Sequence, residues 1–80
     1  MAKSIYSREQ EVLQALLRQV RFDADLRQEQ LAAKLKRPQS FVSKYESGER
    51  RLDLVEVREI CKALAIPLSK FVARFEDALK

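Results

Sequence analysis

The stretch Gln28-Glu29-Gln30-Leu31-Ala32-Ala33-Lys34-Leu35-Lys36-Arg37-Pro38-Gln39-Ser40-Phe41-Val42-Ser43-Lys44-Tyr45-Glu46-Ser47-Gly48 decides the fold. Leu31, Ala32 and Leu35 recur at helical spacing and give a narrow apolar stripe, so a short helix covers about 28–35. Lys36-Arg37-Pro38 breaks it. A proline disfavours helix in the residue before it yet fits the first turn of a new helix, so Pro38 opens a second short helix over about 38–46. There Val42 and Tyr45 point inward, which leaves Gln39, Ser40, Ser43 and Lys44 outward. Ser47-Gly48 stops it, the chain's only glycine supplying a left-handed cap.

The flanks read as helix too. Upstream, Ser7-Arg8-Glu9-Gln10 fits a capping box, and Val12, Leu13, Leu16, Leu17 and Val20 form one apolar face of a helix over about 7–21. Phe22 and Leu26 in the following connection are expected to anchor in the core. Downstream, Asp53 with Glu56 three residues on starts a fourth helix over about 54–64, its stripe formed by Leu54, Val57, Ile60, Cys61 and Leu64. After Ala65-Ile66-Pro67, a fifth helix over about 68–78 carries Leu68, Phe71, Val72, Phe75 and Leu79 on one face. The expected architecture is all-α: a compact five-helix bundle, one domain spanning residues 1–80.

Composition narrows the function. With no His and one Cys, Cys61, the usual Cys/His metal sites and an internal disulfide are excluded. Cys61 lies on the apolar face of helix four and reads as a small core residue. There is no Gly-rich phosphate loop and no nucleophile–base pair, so nothing supports an enzyme, and no cofactor is implied. No apolar run reaches membrane-span length and the N-terminus lacks a signal-peptide core, which points to the cytoplasm. The net charge is +4, and its position is informative. Residues 27–51 hold seven cations against three anions, while the remainder holds nine of each sign. A basic excess confined to one segment is the footprint of a polyanion partner, although a solvated surface is the plainer alternative.

Two short helices crossing at a tight turn match the helix-turn-helix design, whose second helix enters the DNA major groove. Gln39, Ser40 and Lys44 are suited to read bases: Gln pairs bidentately with adenine, Lys donates to guanine and Ser serves either. Phe41 has two readings, contact with a thymine methyl or membership of the core. Gln28 opens the first of the two helices, whose amides suit a phosphate, and Arg37, Arg50 and Arg51 flank the reading helix as backbone clamps.

These residues resemble the Xre family, the phage-repressor and Cro-type helix-turn-helix regulators. Gln-x-x-Leu-Ala at 28–32, Val-Ser-Lys-Tyr-Glu-x-Gly at 42–48 and Ala63-Leu64-Ala65-Ile66 carry the likeness, which runs from about Leu17 to Phe71. It implies a lambda-repressor-like DNA-binding domain acting as a small transcriptional regulator on double-stranded DNA. It also implies phosphate binding at Gln28, base reading at Gln39, Ser40 and Phe41, and Ser43 and Lys44 on bases or phosphate. Arg21 and Glu46 match a partly buried salt bridge of the family, against a plain solvated reading. Family members bind near-palindromic operators as dimers, often through the last helix; self-association here is expected through Phe75, Ala78 and Leu79. Three positions depart from the pattern. Lys36 stands where Gly is usual, costing roughly 1 kcal/mol if left-handed while adding a charge beside phosphate. Pro38 replaces a hydroxyl cap, and Ala65 stands where Gly is common. The competing reading is an interaction module, such as an antitoxin, whose main partner is a protein: a toxin or the transcription machinery.

Overall fold

In the computed structural model, which describes residues 7–80, the Ser7 hydroxyl accepts a hydrogen bond from the Gln10 amide at 3.1 Å and starts α1 (Arg8–Asp23). Four helices follow: α2 (Gln28–Leu35), α3 (Gln39–Ser47), α4 (Leu54–Ala63) and α5 (Leu68–Ala78). No strand occurs among the described residues, so the fold is the all-α five-helix arrangement expected. α3 packs on both α1 and α2, and α4 and α5 close the other side against α2 and α1 respectively. The shared core is built from Leu17 and Val20 of α1, Leu31 of α2, Val42 and Tyr45 of α3, Ile60 and Cys61 of α4 and Phe71 of α5, all essentially inaccessible.

Three residues expected to face the core lie outside it: Phe22, Leu54 and Val72, the last 40% exposed on α5. Phe22 is 56% exposed, because α1 continues through Asp23 instead of ending near residue 21. Each helical residue turns about 100°, so with Val20 and Arg21 facing inward the next side chain swings out. The Arg21 guanidinium lies 4.6 Å from its ring centroid. Leu54 is 67% exposed because it opens α4 ahead of the turn that meets the core at Val57. The Asp53 carboxylate accepts from the Glu56 amide at 2.8 Å and Glu56 accepts in return from the Asp53 amide at 3.0 Å, completing the expected box.

Three helices end in the same way. At the close of α1, Asp25 is left-handed at φ 60°, with its amide on the Phe22 carbonyl and the Leu26 amide on the Arg21 carbonyl. Lys36 (φ 57°) and Arg37 repeat the pair after α2, and Ala65 (φ 59°) and Ile66 after α4. Each is a Schellman turn, in which the two crossed bonds satisfy carbonyls that the helix leaves free. In two of them the residue after the left-handed position, Leu26 or Ile66, packs on the core and locks the exit. Gly48, at φ 92°, ends α3.

One polar interaction crosses this apolar interior. Arg21, 6% exposed, forks onto Glu46, 3% exposed, with Nε to Oε2 at 2.7 Å and Nη2 to Oε1 at 2.9 Å. Arg21 Nη1 donates to the Leu26 carbonyl at 2.9 Å, and Gln28 Nε2 donates to Glu46 Oε1 at 3.0 Å. The Glu46 hydrogen bond raises the Arg21 pKa above its ordinary value, against the opposing effect of burial. The paired alternative for Arg21 and Glu46 is therefore the one adopted. It joins the end of α1 to the start of α2 and the last turn of α3.

Two outcomes are expected. Glu46→Leu alone should cost about 3–5 kcal/mol in a denaturant melt, because it strands a buried guanidinium, while Arg21→Met with Glu46→Leu should recover most of that loss. Equal losses in the single and double variants would contradict this. Ala65→Gly, at an exposed left-handed position, should gain about 0.5–1 kcal/mol, relieved strain outweighing the added chain entropy; a loss in the same melt would count against strain there.

Candidate nucleic-acid interface

The three residues Lys36-Arg37-Pro38 join the two short helices. The left-handed Lys36 reverses the chain, and Pro38, at φ −66° and ψ 154°, is extended. Pro38 therefore caps α3 from outside instead of being its first residue, and the helix runs one residue later at both ends than the expected 38–46. The cap makes no side-chain hydrogen bond to the first-turn amides. A helix start with open N–H groups favours an anion.

On this helix the structure sorts the expected readers. Gln39, Ser40 and Lys44 are exposed along one side and Ser43 is half-buried beside them. Phe41 is not with them. It is 8% exposed and its ring meets Tyr45 edge-on, with centroids 5.4 Å apart. Its remaining face is covered by the guanidinium groups of Arg37 and Arg50, at 4.3 and 4.9 Å from the centroid. Of its two readings this environment favours the core one over the thymine contact, since the ring is engaged in packing and with two cations.

Gln28 is likewise engaged inside the protein. While its Nε2 donates to Glu46, its Oε1 accepts from Gln39 Nε2 at 3.5 Å, the long limit for such a bond. A polar chain thus runs from the buried Arg21–Glu46 pair through Gln28 to the first residue of α3. Arg18 Nε approaches the same Glu46 carboxylate at 3.8 Å.

The cations expected to grip phosphate divide into two sets. Lys36 and Arg51 are exposed, as is Lys44 on α3. Arg50 forks onto Glu56, Nη1 to Oε1 at 3.1 Å and Nη2 to Oε2 at 2.9 Å, and Arg37 Nη2 lies 3.9 Å from the same carboxylate. Glu56 was legible only as a cap of α4. Its second role depends on the loop 49–53 folding back along α4, for which the sequence offers no local signal beyond an arginine six residues upstream. The Arg50 hydrogen bonds, with the Asp53 amide, hold the Glu56 carboxyl below its ordinary value.

Elsewhere, burial pushes the Cys61 thiol up and leaves it a core residue. Burial also raises the Tyr45 phenol, whose oxygen makes no hydrogen bond among the described residues. No cluster of His, Cys, Asp or Glu suited to a metal occurs among the described residues, and no helix among them is long and apolar enough to cross a membrane. On α5, Phe75 and Leu79 are half-buried and Ala78 is exposed, next to Val72 at 40% exposure.

The depressed Glu56 value sets a pH dependence. A carboxylate favoured in the folded state stabilises it above the ordinary carboxylate range, and that contribution fades as pH falls through the lowered value. Wild type should therefore be more stable than Glu56→Gln at neutral pH; the gap should begin to narrow near the ordinary carboxylate value, about pH 4, and close only once pH falls below the lowered one. Parallel stability curves down to acid pH would refute the linkage.

Residues 13–70 match the model of the helix-turn-helix domain family. An XRE-family like protein from Pseudomonas syringae pv. tomato is 37% identical, with a TM-score of 0.85 over 98% of this chain and 95% of that one. The restriction-modification controller protein C.Esp1396I, in a point-mutant form, superposes with a TM-score of 0.83 at 23% identity, over 92% of this chain and all of that one. The clp gene regulator ClgR from C. glutamicum does so with a TM-score of 0.78 at 20% identity, over 92% and 95%; at these identities the likeness is one of fold. No curated protein matches the sequence significantly. A five-helix chain with this turn, matched over most of its length by the helix-turn-helix model and by an XRE-family structure, belongs to the Xre family of helix-turn-helix DNA-binding regulators.

Proposed function

We propose that the protein binds double-stranded DNA sequence-specifically, with the first turns of α3 in the major groove, as a homodimer on a near-palindromic operator. The observation that carries this reading is the set of exposed, hydrogen-bonding side chains on a helix whose opposite side is core, Gln39 and Ser40 at its start and Lys44 further along. Gln39 and Lys44 supply the side-chain chemistry for adenine and guanine edges, and Ser40 serves either. Lys36, Arg37 and Arg51 lie at the two ends of α3 and suit the phosphate backbone, with Ser43 and the start of α2 at Gln28 as neutral contacts. The dimer would form through Phe75, Ala78 and Leu79 of α5, where Val72 adds exposed apolar surface.

The test is selection of sites from a random duplex library at about 150 mM salt, where non-specific attraction is screened. Recovery of a near-palindrome with half-sites about one helical turn apart supports the reading and its symmetry. Recovery of nothing by folded protein would transfer the role to a protein partner. On the selected site, Gln39→Ala should cost about 1–3 kcal/mol and relax preference at one base pair, whereas Arg51→Ala should weaken selected and random duplexes alike and lower the salt slope by about 1. Equal behaviour of the two variants would overturn the division into reader and clamp.

A further inference from the structure

The Arg50–Glu56 pair is more than a loop fastening. Arg50 stands beside the reading helix, in the segment that carries the chain's charge excess, where a free guanidinium would reach for phosphate. Its two terminal nitrogens are instead taken by the two carboxylate oxygens of Glu56, at 3.1 and 2.9 Å, and Nη1 also reaches the Arg51 carbonyl at 3.3 Å. The carboxylate is itself fixed. It caps α4 through the Asp53 amide, and its side chain is 16% exposed. A forked carboxylate has the geometry with which a phosphate meets arginine. The guanidinium of Arg50 also rests over the Phe41 ring, 4.9 Å from its centroid. Arg37 faces the same ring and carboxylate but stays 3.9 Å from Glu56 without a hydrogen bond, and Arg51 is exposed.

We propose that Glu56 is an internal stand-in for a DNA phosphate, one that withholds Arg50 from the backbone and so limits non-specific binding relative to binding at the operator. The proposal rests on the DNA-binding reading above. Base contacts carry sequence information and phosphate contacts do not, so each cation removed from the phosphate count lowers affinity for every sequence and leaves the readers Gln39, Ser40 and Lys44 a larger share of the total. Two adjacent arginines thereby take opposite parts: Arg51 grips and Arg50 is held back.

Salt dependence on a random-sequence duplex of about two helical turns reads this directly, because the slope of log K against log salt changes by about 0.9 for each phosphate that the protein newly neutralises or releases. In the parent protein, Arg50→Met, which removes the guanidinium but keeps a long apolar side chain, should leave the slope unchanged, whereas Arg51→Met should make it shallower by about 0.9. Glu56→Gln should bind the random duplex several-fold tighter with a slope steeper by about 0.9, and adding Arg50→Met should remove the gain. Glu9→Gln, an equal change of net charge on the first turn of α1, should do neither. A shallower slope for Arg50→Met in the parent, or an unchanged slope for folded Glu56→Gln, overturns the proposal. The Arg50→Met comparison decides alone if Glu56→Gln does not fold, as checked by circular dichroism. A parent that binds no duplex, or whose slope ignores Arg51, fails the DNA-binding reading and this inference with it; a parent that depends on both arginines alike fails only the inference.

Discussion

The buried ion pair between Arg21 and Glu46 is the constraint on which the rest of the molecule depends. Glu46 sits in the last turn of α3, where the helix dipole disfavours negative charge, and it is almost wholly removed from water. Such a carboxylate is tolerated only with a partner of fitting geometry. Arg21 can supply the fork because α1 runs through it as helix and then turns at Asp25, which also brings the Leu26 carbonyl to the third guanidinium nitrogen. The pair thus fixes the exit of α1 and the direction of α3 together. Gln28 joins them by its bond to Glu46, so the start of α2 is set by the same carboxylate. The crossing of α2 and α3 is held from within, by charge and hydrogen bonds as well as by the apolar contacts of Leu31 and Val42.

From that frame the functional surface follows by subtraction. The inward side of α3 is taken by Val42, Tyr45 and Phe41, which leaves Gln39, Ser40 and Lys44 to solvent. Gln39 is the end of the polar chain that begins at Arg21, so the first exposed side chain of α3 is tethered to the most deeply buried charge in the domain. The cations around it are allotted unequally. Arg50 lies over the Phe41 ring paired with Glu56, while Arg37, over the same ring but without a hydrogen bond to Glu56, is exposed together with Lys36, Lys44 and Arg51. A count of basic residues in the segment therefore does not distinguish the paired Arg50 from the exposed cations.

The helices were legible because their ends carry local chemistry. Ser7, the Asp53–Glu56 box, Pro38 and Gly48 each act on neighbouring backbone, and each marks a boundary to within about a residue. The exit of α1 was not legible: no glycine marks Asp25, and nothing local says that Phe22 continues the helix and turns outward. The other two Schellman turns use Lys36 and Ala65, which read as departures from a family pattern more readily than as stops. The Arg21–Glu46 pair followed from resemblance alone, since residues 25 apart carry no periodic signal. The surroundings of Phe41 and Arg50 were not legible for one reason. Both lie in an exposed-looking basic stretch, and only the return of residues 49–53 against α4 brings Glu56 to them.

The start of α3, held by the Arg21–Glu46–Gln28 network, is proposed as the face that meets DNA. The most direct measurement is a titration of isotope-labelled protein with duplex DNA, followed through its backbone amide resonances. The largest changes are expected on the first turns of α2 and α3, the turn 36–38 and Arg51. Changes centred instead on Leu54 and Val72, exposed apolar residues of α4 and α5, with the first turn of α3 unmoved, would contradict it.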